Sequence, residues 1–167
     1  MSKIRKNAWQ TVMPDVTERL CNAFKSVSFL AYFVVGILLI GGIGVWLPYA
    51  VDKSSKISFL ESQNVFTYSV AILGTLCVEG FLGNGKKKSL AAFGLIVGVF
   101  AFFSSSVGYY NTQSGSSLWV NIGAVLALLI FLIANANDDR FDEDHDVKAD
   151  ATGFSEVSVD NIKDGSK

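Results

Sequence analysis

Asp142, Asp144 and Asp146 stand at alternate positions, the spacing at which a calcium-binding loop presents its first carboxylates. The match ends there. Val147 stands where such a loop needs glycine for its sharp turn, and Gly153 stands where it needs a bidentate glutamate. His145 is the only histidine, so neither zinc ligation nor imidazole acid–base work has a second group to build on. Cys21 and Cys77, the two cysteines, are too few for a metal framework and read as unreactive thiols. There is no phosphate loop, no HExxH and no nucleophile elbow. These residues point away from an enzyme and call for no cofactor and no metal.

One acid stands where chemistry is expensive. Glu79 follows Thr67, Ala71 and Thr75 at i+4 steps in an apolar segment, a polar row that Gly83 extends. An ionisable group inside a membrane span is a candidate ion or proton site. Glu79 also lies about one turn from the end of its span, where it can reach water or pair with Lys86 or Lys87 as an anchor. Both readings stay open. Asn121 and Asn135 are fourteen residues apart, hence on one helix face, and are expected to hydrogen-bond neighbouring helices.

A second pattern concerns assembly. Ala91, Gly94, Gly98, Ala101, Ser105 and Gly108 recur at alternating steps of three and four, a continuous stripe of small residues along one helix. Lipid tails supply no hydrophobic drive for helix association, so close backbone approach must supply it, and small residues permit that approach. The stripe serves either packing within one bundle or a seam between copies in a homo-oligomer.

The elements that must carry these residues are membrane spans. Of the 167 residues 50% are hydrophobic and mean hydropathy is +0.39, more apolar surface than a soluble domain of this size can hide. The pattern predicts an all-α integral membrane protein: a four-transmembrane-helix bundle with spans at 27–46, 65–82, 89–110 and 118–136. Residues 1–26 form a basic lead in which Trp9, Val12, Met13, Val16, Leu20 and Phe24 recur at helical spacing. This lead is too long before its apolar stretch to be a cleavable signal. It is expected to form an amphipathic helix that starts at Pro14 and runs on into the membrane, lying on the inner leaflet or packed on its own bundle. The Gly41-Gly42-Ile43-Gly44 run weakens the outer end of the first span, and Pro48 is expected to end it. Residues 137–167 read as a flexible acidic tail; from Asp138 onward it has ten acids against four bases.

Orientation follows from lysine and arginine. The lead carries five, the turn around Lys86-Lys87-Lys88 three and the tail four, whereas the two remaining loops hold two together. Positive charge stays inside, so both ends are expected in the cytoplasm of a bacterial inner (plasma) membrane. The tail's sparse apolar residues, Phe141, Phe154, Val157, Val159 and Ile162, suit either a solubilising tail or a linear motif that orders on a cytoplasmic partner with a basic surface, with the last four as the candidate contacts.

This plan of basic lead, four spans, Lys86-Lys87-Lys88 turn and acidic tail after Asp138 resembles the KwaA family, the membrane subunits of the Kiwa anti-phage defence system. The resemblance covers the whole chain and rests on length and organisation, with no short diagnostic motif. It implies an inner-membrane oligomer that senses infection and controls a cytoplasmic DNA-binding effector, KwaB, without binding nucleic acid itself. The expectation is therefore a non-enzymatic sensor and scaffold in contact with membrane lipid, its own copies and a cytoplasmic protein. The alternatives are a pore former or small transporter with Glu79 facing a lumen, and a holin-like lysis protein.

Overall fold

The structure is a computed structural model that describes residues 9–52, 58–82, 88–112, 114–138 and 141, with backbone alone at 79–82 and 88. Every regular element among them is helical: α1 (Trp9–Lys25), α2 (Val27–Ala31) continued by a π-helical segment (Tyr32–Gly41), α3 (Ile43–Val51), α4 (Ser62–Leu82), α5 (Lys88–Asn111) and α6 (Leu118–Asn135). Two stretches, Ser89–Asn111 and Leu118–Asn135, are long and apolar enough to cross a membrane. The bent pair Trp9–Lys25 and Val27–Gly41 passes the same test jointly, which makes up to three.

Polar side chains are buried and large apolar ones exposed to a degree unusual for a soluble domain. Ser62, Ser69, Ser105, Ser117 and Asn135 are buried, while Ile40, Leu95, Phe100 and Phe103 are each more than 60% exposed. A soluble monomer rarely displays so continuous an apolar surface. In lipid that surface costs nothing, and stability comes from close packing of small and hydroxyl-bearing residues inside. The helices α4, α5 and α6 pack together around Ile72, Leu73, Ala101, Ala127 and Ile130, with Phe29 and Phe33 of the first span closing one side.

Three expectations about helix ends need correction. The lead helix is already formed at Trp9, so Pro14 sits inside it rather than in its first turn. Nor does it run on as one straight helix. The chain bends by 83° between α1 and the segment Val27–Gly41. Ser26 makes the bend: its backbone is extended, and its Oγ accepts from the Phe29 N–H at 3.2 Å, capping a new helix. Pro48 likewise lies within α3, which continues to Val51, because proline forfeits one hydrogen bond without forcing an end. The break in this apolar stretch lies earlier, at Gly42, between the π segment and α3.

That break is braced from its neighbours. The Tyr68 hydroxyl on α4 donates to the Ile37 carbonyl at 2.8 Å, and Trp46 Nε1–H donates to the Leu39 carbonyl at 3.0 Å. Carbonyls at a helix irregularity need such donors where water is absent. Tyr68→Phe is therefore expected to lower stability in detergent by about 1–2 kcal/mol, read as the midpoint of thermal loss of helicity. An unchanged midpoint would mean that the hydroxyl does not brace the break.

Candidate functional site

The stripe of small residues on α5 divides into two parts. Ala101, Ser105 and Gly108 are buried against α6 of the same chain, Gly94 and Gly98 are half-buried near Ile130, and Ala91 is exposed. Gly123 on α6 fits against the stripe so closely that a Cβ there would lie 2.6 Å from the Ala101 carbonyl oxygen and would also collide with Ser105. A Cβ on Gly108 would lie 2.6 Å from the Val120 nitrogen. Ser104 adds a hydrogen bond from its hydroxyl to the Trp119 carbonyl at 2.8 Å. The buried half of the stripe thus makes an intramolecular α5–α6 contact, and a seam between copies through these three residues would have to displace α6.

The polar row on α4 is open instead. Thr67, Ala71 and Thr75 are exposed, and the threonine hydroxyls donate to the Gln63 and Ala71 carbonyls of their own helix at 2.9 and 3.0 Å. Such back-bonding satisfies a hydroxyl in a helix without a partner chain. Glu79 is on the α4 backbone, but its side chain lies outside the described residues. The expectation that Asn121 and Asn135 bond neighbouring helices is corrected. Asn121 Nδ2 donates to Ser116 Oγ at 3.1 Å, and Asn135 Nδ2 donates to the Phe131 carbonyl at 3.1 Å. Both partners are local: Ser116 lies just before α6, and the Asn135 amide bonds back to the carbonyl one turn earlier.

At one end of the bundle the lead, the first span and the root of the tail meet. The Asn22 amide donates to Asn137 Oδ1 at 3.2 Å, and Ser26 Oγ donates to the Phe141 carbonyl at 3.3 Å. The Phe141 ring packs 5.2 Å from both Phe29 and Tyr32, and Tyr32 in turn lies 6.4 Å from Phe131 on α6. Arg19 closes the group by donating from Nη1 to the Ile133 carbonyl at 3.3 Å. This aromatic clasp holds the tail root against the hinge at Ser26. Sequence reading missed it, although Phe141 is a lone aromatic in an acidic run, and that was the available signal. Phe154, Val157, Val159 and Ile162 lie outside the described residues, as does the Asp142–Asp146 run.

Among the described residues no group of three His, Cys, Asp or Glu side chains comes together, and both cysteines are exposed free thiols. The clasp joins the end of α1 and the start of the following helix to Asn137 and Phe141. Comparison with protein-family models, with curated proteins and with solved structures finds no match to this chain.

Proposed function

We propose that this protein is a non-catalytic, multi-pass membrane sensor and scaffold that self-associates in a bacterial inner membrane and engages a soluble cytoplasmic effector. In this reading the first span (α2 through α3), α4, α5 and α6 all cross the bilayer, with both ends of the chain in the cytoplasm. The observation that carries it is the clasp. Phe141, at the root of the acidic tail, is packed on Phe29 and Tyr32 beside the hinge at Ser26. Asn22, near the end of the lead helix, also bonds Asn137, so a displacement of the lead is expected to reach the root of the acidic tail, the segment most suited by charge to a basic partner. The exposed row Thr67, Ala71 and Thr75 leaves a close-packing face for a second copy. The resemblance to Kiwa membrane subunits supplies the role in anti-phage defence and the DNA-binding class of the effector.

The test is affinity purification of the tagged full chain from its native cells in mild detergent, with identification of the soluble protein that co-purifies. The full chain is expected to retain that protein, and deletion of residues 142–167 is expected to release it. Failure of capture both with and without the tail would end the scaffold reading.

A pore or transporter reading draws on the broken first span, since interrupted helices line many substrate sites. It is the weaker one, because the carbonyls of Ile37 and Leu39 at the break already accept from Tyr68 and Trp46. Ion flux in reconstituted vesicles that is abolished by Glu79→Ala would reverse that preference.

A further inference from the structure

The lead helix α1 has two apolar faces, and its own bundle covers only one. Val12, Val16 and Ala23 are buried, and Val12 and Val16 pack with Leu90, Phe93 and Ile133 at the ends of α5 and α6. Beside that face Trp9, Met13 and Phe24 are 54, 51 and 68% exposed. At about 100° per residue these three fall within roughly 60° of one another. Gln10, Glu18, Cys21 and Lys25, on the other side, are exposed and mostly polar.

Two further observations say what covers the exposed apolar face. The 83° bend sets α1 nearly perpendicular to the first span, so a span that crosses the bilayer lays α1 in the plane of its surface. The exposed face is also continuous with the lipid-directed surface of α5. A shallow groove lined by Trp9, Val12, Ala92, Phe93 and Ile96 joins them, and Trp9 packs edge-on against Phe93 at 6.4 Å. Charge agrees, because residues 1–26 carry five bases and two acids, and Lys86-Lys87-Lys88 precede α5.

We infer that α1 is an interfacial helix whose Trp9–Met13–Phe24 face is immersed at the headgroup–acyl boundary of an anionic leaflet. An amphipathic helix at that depth responds to lipid packing and charge. The bond from Asn22 near its end to Asn137 makes the tail root the readout. The inference rests on the membrane reading and names what the proposed sensor touches.

The full chain in vesicles tests it. A single nitroxide is placed at Met13→Cys, Phe24→Cys, Glu18→Cys or native Cys21, with every other cysteine changed to serine. Collision with dissolved oxygen is compared with collision with a water-soluble nickel chelate. Val125→Cys, at an exposed mid-helix position on α6, serves as the insertion control. In phosphatidylcholine–phosphatidylglycerol vesicles, positions 13 and 24 are expected to favour oxygen severalfold over positions 18 and 21. In phosphatidylcholine alone they are expected to be shallower. Nickel access at all four positions, with Val125→Cys in lipid, overturns the inference and leaves the membrane reading intact. Nickel access at Val125→Cys overturns both. Equal depth in the two vesicle types overturns the anionic assignment.

Discussion

Gly123→Val is expected to destabilise the bundle by about 3 kcal/mol, the upper part of the usual range for overpacking a tight core. The atoms in the way are the backbone of Ala101 and Ser105 and the Ser105 hydroxyl, a Cβ lying only 2.9 Å from the Ser105 nitrogen. Backbone cannot rotate aside as a flexible side-chain end can, so α5 and α6 must separate. Separation removes the dispersion contacts that substitute for hydrophobic drive inside lipid. Gly74→Ala is the informative contrast. Gly74 is helical and has no atom within 4 Å of an added Cβ. It should be neutral or stabilising by up to about 1 kcal/mol, the helix-propensity difference. Thermal unfolding in detergent, followed by helicity, checks both. Equal midpoints for Gly123→Val and the parent would show that the α5–α6 contact is not the structural core of the bundle.

Glu61→Ala is expected to cost about 3 kcal/mol, from two hydrogen bonds to a charged acceptor. Glu61 Oε1 accepts from the Gly115 N–H at 2.7 Å, and Oε2 accepts from the Ser58 N–H at 3.2 Å. The Gly115 carbonyl is held in turn by the Ser62 backbone N–H at 2.9 Å and by the buried Ser62 hydroxyl at 2.6 Å. One carboxylate therefore ties the start of α4 to the α5–α6 connection. Gly115 has φ of 85°, a conformation glycine adopts at little cost. Glu61→Gln keeps one acceptor but turns a donor NH2 toward the other N–H and removes the charge, so it should lose at least half as much. If Glu61→Ala unfolds at the parent midpoint, the carboxylate is solvated rather than clamped. A protease site inserted between Asn111 and Ser117 would then be cut no faster than in the parent.

What was legible in the sequence was what hydropathy and helical period encode directly. The apolar lengths of α5 and α6 are plain in the chain, and the small stripe on α5 meets a glycine on α6 that was equally visible. Helix ends were less legible. Ser26 is a standard capping residue, yet the apolar spacing before and after it masked the bend. Pro14 and Pro48 read as boundaries because proline usually marks them, but tertiary packing overrides the loss of a single hydrogen bond. The π segment Tyr32–Gly41 left no local signal, since it is a change in hydrogen-bond register within an unbroken apolar run. The clasp was hidden for a different reason. It joins residues more than a hundred positions apart, as Ser26 and Phe141 are, and no periodicity reports that.

The membrane arrangement underlies every functional statement, and maleimide labelling tests it most directly. In a Cys21→Ser, Cys77→Ser background, single cysteines are placed at Ser54, Asn84, Ser114 and Ser166. A membrane-impermeant maleimide is then added to intact bacterial cells with a permeabilised outer envelope. Ser54→Cys and Ser114→Cys are expected to label at once, and Asn84→Cys and Ser166→Cys only after the inner membrane is opened. Labelling of Ser166→Cys in intact cells would put the tail outside, contradict the arrangement with both ends in the cytoplasm, and remove the tail from any cytoplasmic partner.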